Sequence, residues 1–232
     1  MDQLTCPNCG APLPASLASA DVITCQYCNI TFRNSNTQAP ELGNLILGAD
    51  FTQGLNLPGW SVPEKEYIQF TNDSPPEMRY KFPHRSGVYS ALKTSGYFDN
   101  VDVSVSITFY EGNVDLISAG LLLRYRKGTG SYNAFITPLA EYAVAYYDDA
   151  LKWNPIVAWT KHSALHPGLN QTNHLRFVTS EEHLHVYLNG VLATSIHDSR
   201  FDEGEVRLGA DGTDKSSIDV GFSNLQLREV KA

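Results

Sequence analysis

Four cysteines fall within the first 28 residues, as Cys6-x2-Cys9 and Cys25-x2-Cys28, and none follows in the rest of the 232-residue chain. A two-residue gap lets both thiolates of one tight turn reach a single metal ion, and two such turns complete a tetrahedron. The chemistry expected is structural zinc, because four thiolates leave no ligand position open for a reactive water. Iron in a tetrahedral thiolate site and a dithiol–disulfide switch are the alternatives. Gly10 and Asn29 follow the last cysteine of each pair, where such turns take positive φ. Val22-Ile23-Thr24 and Ile30-Thr31-Phe32 read as short strands around the second pair.

Residues 4–34 resemble the zinc-ribbon family on this spacing, with Asn29 in place of a common glycine. The resemblance implies a zinc staple, since about thirty residues cannot bury enough apolar surface to fold unaided.

Carboxylate pairs are the next candidates. A glycosidase holds two carboxyl groups about 5 to 9 Å apart across the scissile bond. Glu64 with Glu66 and Glu203 with Glu205 have a two-residue spacing, but the first pair follows Pro63 and the second brackets Gly204, so both read as solvated surface. His183, His185 and Tyr187 share one face of a strand, and a polar sheet face is the expectation there. Aromatic residues are denser: Tyr125, Tyr132, Tyr142, Tyr146, Tyr147, Trp153 and Trp159 lie close together in the chain. Parity puts Tyr142 and Tyr146 on one face and Tyr147 on the other, so these tyrosines cannot all be core.

Composition narrows the classes. With 25 acidic and 17 basic residues the formal charge is −8, and residues 1–36 carry Arg33 as their one basic residue, so nucleic acid is not an expected partner. The amino-terminal residues have no secretory pattern, and no apolar run is long enough to span a membrane. Paired cysteines in that setting predict a reducing, cytoplasmic compartment, which makes the acceptor-like Asn72-Asp-Ser and Asn170-Gln-Thr coincidental.

The elements that must position these groups read as strands. In 100–109, Val101, Val103, Val105, Ile107 and Phe109 alternate with Asp102, Ser104, Ser106 and Thr108. Further strands are expected over 66–71, 77–82, 88–94, 118–126, 131–137, 141–147, 173–180, 182–188, 191–196, 205–210 and 216–229. Asn189-Gly190 predicts a type I′ hairpin turn, and a bulge near Ser223-Asn224 would turn Ile218, Val220, Phe222, Leu225 and Leu227 all inward. So many strands without helices between them predict a mostly β fold: a small four-cysteine zinc ribbon over 1–36, a linker over 37–44, and a two-sheet antiparallel sandwich over 45–232.

The runs Ala119-Gly-Leu-Leu-Leu-Arg-Tyr-Arg126, Tyr132-Asn-Ala-Phe-Ile136, Asn173-His-Leu-Arg-Phe177 and Val186-Tyr-Leu-Asn-Gly190 resemble the concanavalin-like jelly-roll superfamily, laminin-G-like branch included. The glucanase branch carries Glu-x-Asp-x-x-Glu on a strand, and this chain has no such string. The functional expectation is therefore a non-catalytic interaction module that binds another protein or acts as a scaffold. One alternative is a carbohydrate-binding module using Arg124, Tyr132, Tyr142, Tyr146 and Trp153. The other is a glycan-processing enzyme.

Overall fold

The structure is a computed structural model and describes residues 11–14, 17, 22–27, 31–33, 42–83, 86–150 and 152–230. Two short strands, β1 (Val22–Thr24) and β2 (Thr31–Arg33), form an antiparallel hairpin in which Thr24 faces Thr31. Of the four cysteines, Cys25 alone is among the described residues, and it is fully buried. The expected metal site at Cys6, Cys9 and Cys28 lies outside them.

The sandwich has two antiparallel sheets. One runs β12 (Trp153–Lys161), β11 (Glu141–Tyr147), β10 (Gly130–Ile136), β9 (Ser118–Arg126), β16 (Glu205–Gly212), β7 (Gly87–Thr94) and β4 (Trp60–Ser61). The other runs β15 (Val191–His197), β14 (His183–Leu188), β13 (Thr172–Ser180), β8 (Val101–Glu111), β17 (Ile218–Val230), β6 (Glu77–Phe82) and β5 (Ile68–Thr71). A further strand, β3 (Leu42–Gly48), pairs with the second half of β17. It begins inside the stretch read as linker, where Gly43 and Asn44 hid a strand that pairs with β17.

Alternation builds the core as expected. Val101, Val103, Val105, Ile107 and Phe109 of β8 face Leu121, Leu123, Tyr132, Ala134 and Val144 in one buried cluster. The β17 register shifts between Ser223 and Gln226, with Asn224 at φ 53°, and this bulge buries Val220, Phe222, Leu225 and Leu227 together. Asn189 and Gly190 take φ 48° and 82°, as the hairpin turn requires.

The polar side of β8 differs from expectation: Ser104 is half-buried, and Asp102, Ser106 and Thr108 are buried. This strand is central, so long side chains from β13 lie over it. Arg176 Nε donates to Asp102 at 2.8 Å, and the Thr108 and Thr172 hydroxyls meet at 2.8 Å.

Candidate functional site

The outer face of the seven-stranded sheet is unlike the outer face of its partner. Gly120, Ser131, Asn133, Ala143, Ala145 and Gly209 point away from the core, with Phe135 and Leu122 among them. Small residues at these positions leave a floor with little side-chain relief. No second layer covers it among the described residues, yet Ser131, Asn133 and Ala145 are fully buried. The cover comes from larger side chains at the margins. Four strand spacings of about 4.8 Å separate β7 from β11, but Val88 and Ser90 of β7 line the same cavity as Tyr147 of β11. The long Tyr147 side chain reaches over the small residues between them, and the face is hollowed there.

One wall is aromatic. The Trp153 and Trp159 rings stack at 6.2 Å and 9°, and Trp153 meets Tyr147 edge-on at 5.5 Å and Phe135 at 6.1 Å. Trp159 is 42% exposed. The opposite wall is Tyr125 beneath the Arg207 guanidinium, 3.4 Å from the ring centroid. Tyr125 reaches this face because β9 bulges at Arg124, which has φ 54°, between the Leu122–Arg207 and Tyr125–Glu205 pairings. A cavity of about 300 Å³ lies between Tyr125, Arg207, Leu122, Ser90 and Tyr147. A second, of about 230 Å³, lies beyond it among Trp159, Glu141, Asp211, Ser118 and Thr137.

The charges on this face are unequal in their pairing. Burial alone would raise Glu205, but hydrogen bonds from Arg207 and Lys93 outweigh it and hold the carboxyl below its ordinary range. Burial pushes Asp211 up to about 6 against a single opposing hydrogen bond from the Gly212 backbone. Burial raises the Tyr147 phenol strongly, and the Asp211 charge adds to this. Glu205 and Asp211 lie six residues apart on one strand, about 20 Å along it. That separation is too wide for a glycosidase pair.

Of the five residues expected to bind ligand, Trp153 reaches this groove. Tyr132 and Tyr142 instead lie in the core, and Tyr146 packs on its margin under Arg200, whose Cζ is 4.3 Å from the ring centroid. They have the right residue type but the wrong parity. The Tyr132 hydroxyl donates to Asp198 at 2.6 Å and accepts from the Arg200 backbone at 2.8 Å, tying a loop to the sheet. Arg124 is buried and donates to three backbone carbonyls: Asp99 at 3.0 Å, Phe201 at 2.7 Å and Glu181 at 2.8 Å. It fastens loops at the sheet end, and burial lowers its pKa. The residues missed were Tyr125, Tyr147, Trp159, Arg207 and Asp211. The signal for them was the parity of the small residues, since Ala143, Ala145 and Tyr147 share one face of β11.

The other candidates separate clearly. Glu64 accepts from Tyr80 and Glu203 pairs with Arg126. His183 packs on His185 at 6.2 Å and on His197 at 5.2 Å, and His197 Nε2 meets Glu182 at 2.9 Å. Among the described residues, no three His, Cys, Asp or Glu side chains are disposed around one metal position.

No protein-family model matches the chain, and no curated protein matches it. Solved structures do. The carbohydrate-binding module CBM66 from Bacillus subtilis superposes with a TM-score of 0.54 at 19% identity, covering 75% of this chain and 98% of that one. A Bacillus subtilis protein of unknown function with a galectin-like fold gives 0.59 at 8% identity, covering 84% and 100%. A glycoside hydrolase family 16 endo-glucanase from Bacteroides ovatus gives 0.59 at 10% identity, covering 79% and 100%. These likenesses establish the fold. They also correct the expectation of a protein-binding or scaffold module, because the neighbours in shape are a carbohydrate-binding module and glycan hydrolases. The chain is a jelly-roll, galectin-like β-sandwich with one hollowed sheet face.

Proposed function

We propose that the sandwich is a carbohydrate-binding module and that a saccharide chain lies along the hollowed face of the seven-stranded sheet. The observation that carries this is the floor of small residues between an aromatic wall at Trp153, Trp159 and Tyr147 and a second wall at Tyr125 and Arg207. Sugars present apolar C–H faces that stack on such rings, while their hydroxyls need convergent polar groups. Ser90, Arg207 and Asp211 supply the latter. The neighbours in shape include a carbohydrate-binding module, which supports the same reading.

A glycan array probed with the native protein and with Trp159→Ala and Tyr125→Ala tests this directly. Binding to at least one oligosaccharide class, weakened in both variants with melting temperatures near native, is the expected result. A native protein that binds no glycan, or variants that bind as well as native, would overturn it.

We further infer that residues 1–36 form a separate module held by a structural zinc at Cys6, Cys9, Cys25 and Cys28. The support is the paired spacing, together with the full burial of Cys25 at the end of β1, where the hairpin turns. Elemental analysis of reduced protein purified without added metal should find about one zinc per chain. Cys9→Ser should abolish binding and leave the sandwich melting transition in place.

A further inference from the structure

We propose that Asp211 is the polar anchor of the groove, its carboxylate accepting hydrogen bonds from two adjacent hydroxyls of an uncharged sugar unit. This rests on the saccharide-binding reading above. Asp211 stands on the outer side of β16, where its register partners are Val88 on β7 and Ser118 on β9. Val88 lines one of the two cavities of the hollowed face and Ser118 the other, so Asp211 occupies the divide between them. A ligand passing from one cavity to the next must cross it.

Most covered carboxylates elsewhere in the sandwich have cationic partners, and the buried Glu77 accepts from the Tyr110 hydroxyl instead. Asp102 has Arg176, Asp219 has Arg79, Asp198 has Arg200, and Glu205 has both Arg207 and Lys93. Asp211 departs from that pattern. Among the described residues no cation and no side-chain donor meets it, and the Gly212 backbone N–H is its sole donor. A desolvated carboxylate left this way costs folding free energy, and such groups collect at functional sites.

The chemistry of the surroundings selects the ligand class. A carboxylate has two oxygens that accept in parallel from paired donors, and adjacent hydroxyls offer such a pair. An anionic sugar would face Asp211, Glu141 and Asp115 around the second cavity. A cationic sugar would lie along Arg207 and Lys93 at the other end of the face. An uncharged, hydroxyl-rich chain meets neither objection, and Trp159 beside Asp211 offers it a stacking surface.

The arrangement also makes binding depend on pH. The groups facing Asp211 are Tyr147 and Glu141 from β11, Asp115 from the loop before β9, and the uncharged Val88 and Ser118 on either side. None neutralises its charge, and burial brings the carboxyl up to about 6. The accepting form is therefore about half populated near pH 6, nearly complete at about pH 7.5 and largely lost at about pH 5.

The test uses the uncharged oligosaccharide that native protein binds best on the array, together with its monodeoxy analogues. Calorimetric titration of native protein and of Asp211→Asn and Asp211→Ser, at pH 7.5 and pH 5, is the measurement. Both variants should bind at least tenfold more weakly at pH 7.5, with the gap closing to about threefold at pH 5. Removing one hydroxyl of the contacted pair should weaken native protein and leave Asp211→Ser unchanged. Variants within twofold of native at pH 7.5 overturn the anchor while leaving the saccharide reading intact. A preference for glucosamine oligomers that fades with salt overturns the hydroxyl assignment. Failure of native protein to bind any oligosaccharide overturns both.

Discussion

The Arg207 guanidinium lies over the Tyr125 ring at 3.4 Å from its centroid while its Nε donates to Glu205 at 2.8 Å. One side chain thus caps an aromatic wall and holds a half-buried carboxylate. Arg207→Ala should cost about 1–3 kcal/mol of stability, since it leaves Glu205 with Lys93 alone and bares the ring. The Glu205 pKa is lowered in the folded protein, so the native stabilisation is present above pH 4.5 and lost below it. Melting curves of native and variant protein should therefore converge as the pH falls towards 3.

Trp159 and Trp153 stack on each other but have different underpinnings. Trp159 is 42% exposed, whereas Trp153 also contacts Phe135 and Tyr147. Trp159→Ala should lower glycan affinity roughly fivefold, the equivalent of about 1 kcal/mol, with little change in melting. Trp153→Ala should lower both affinity and stability, which parallel calorimetry and thermal denaturation will separate.

Asp211→Asn should stabilise the fold at neutral pH. The folded-state pKa is raised from 3.8 to about 6, so the charged form costs stability above pH 6, and the native protein regains it as the pH falls towards 4. The expected gain at pH 7.5 is about 1–3 kcal/mol, shrinking to nothing near pH 4. Denaturant unfolding at the two pH values checks the sign.

Arg124 and Tyr132 should behave as structural residues. Arg124→Lys cannot reach three carbonyls from one ammonium and should cost about 2–4 kcal/mol. Tyr132→Phe leaves Asp198 and the Arg200 N–H short of a partner, for a loss of about 1–3 kcal/mol. Glycan affinity measured well below the melting temperature should stay at the native value in Tyr132→Phe.

Period-two patterning carried most of the sandwich. The strands over 77–82, 118–126 and 141–147 have the bounds that alternation implied, because each buries one face against a single core. What escaped were strands whose partners do the specifying. β12 holds Pro155 and two register shifts, which an edge strand tolerates and which erase its alternation. β4 has two residues and exists through its pairing with β7. For the groove, residue type was legible and facing was not. Tyr142 and Tyr146 share the parity of Val144 and turn towards the core, Tyr142 inside it and Tyr146 at its margin, while Tyr147, one residue on, faces the groove. At Tyr125 even correct alternation fails, because the Arg124 bulge reverses the face.

Both sheets are completed from the far end of the fold. β16 fills the place between β9 and β7, β17 fills the place between β8 and β6, and these are the last two strands of the sandwich in chain order. On a ribosome, β6, β7 and β8 would emerge with an open edge and wait for more than half the domain before β16 and β17 arrive. Pairings so distant in sequence make folding slow and leave the nascent chain prone to self-association. Shortening the sandwich from its carboxyl side, even by β17 alone, should therefore yield insoluble protein rather than a smaller domain.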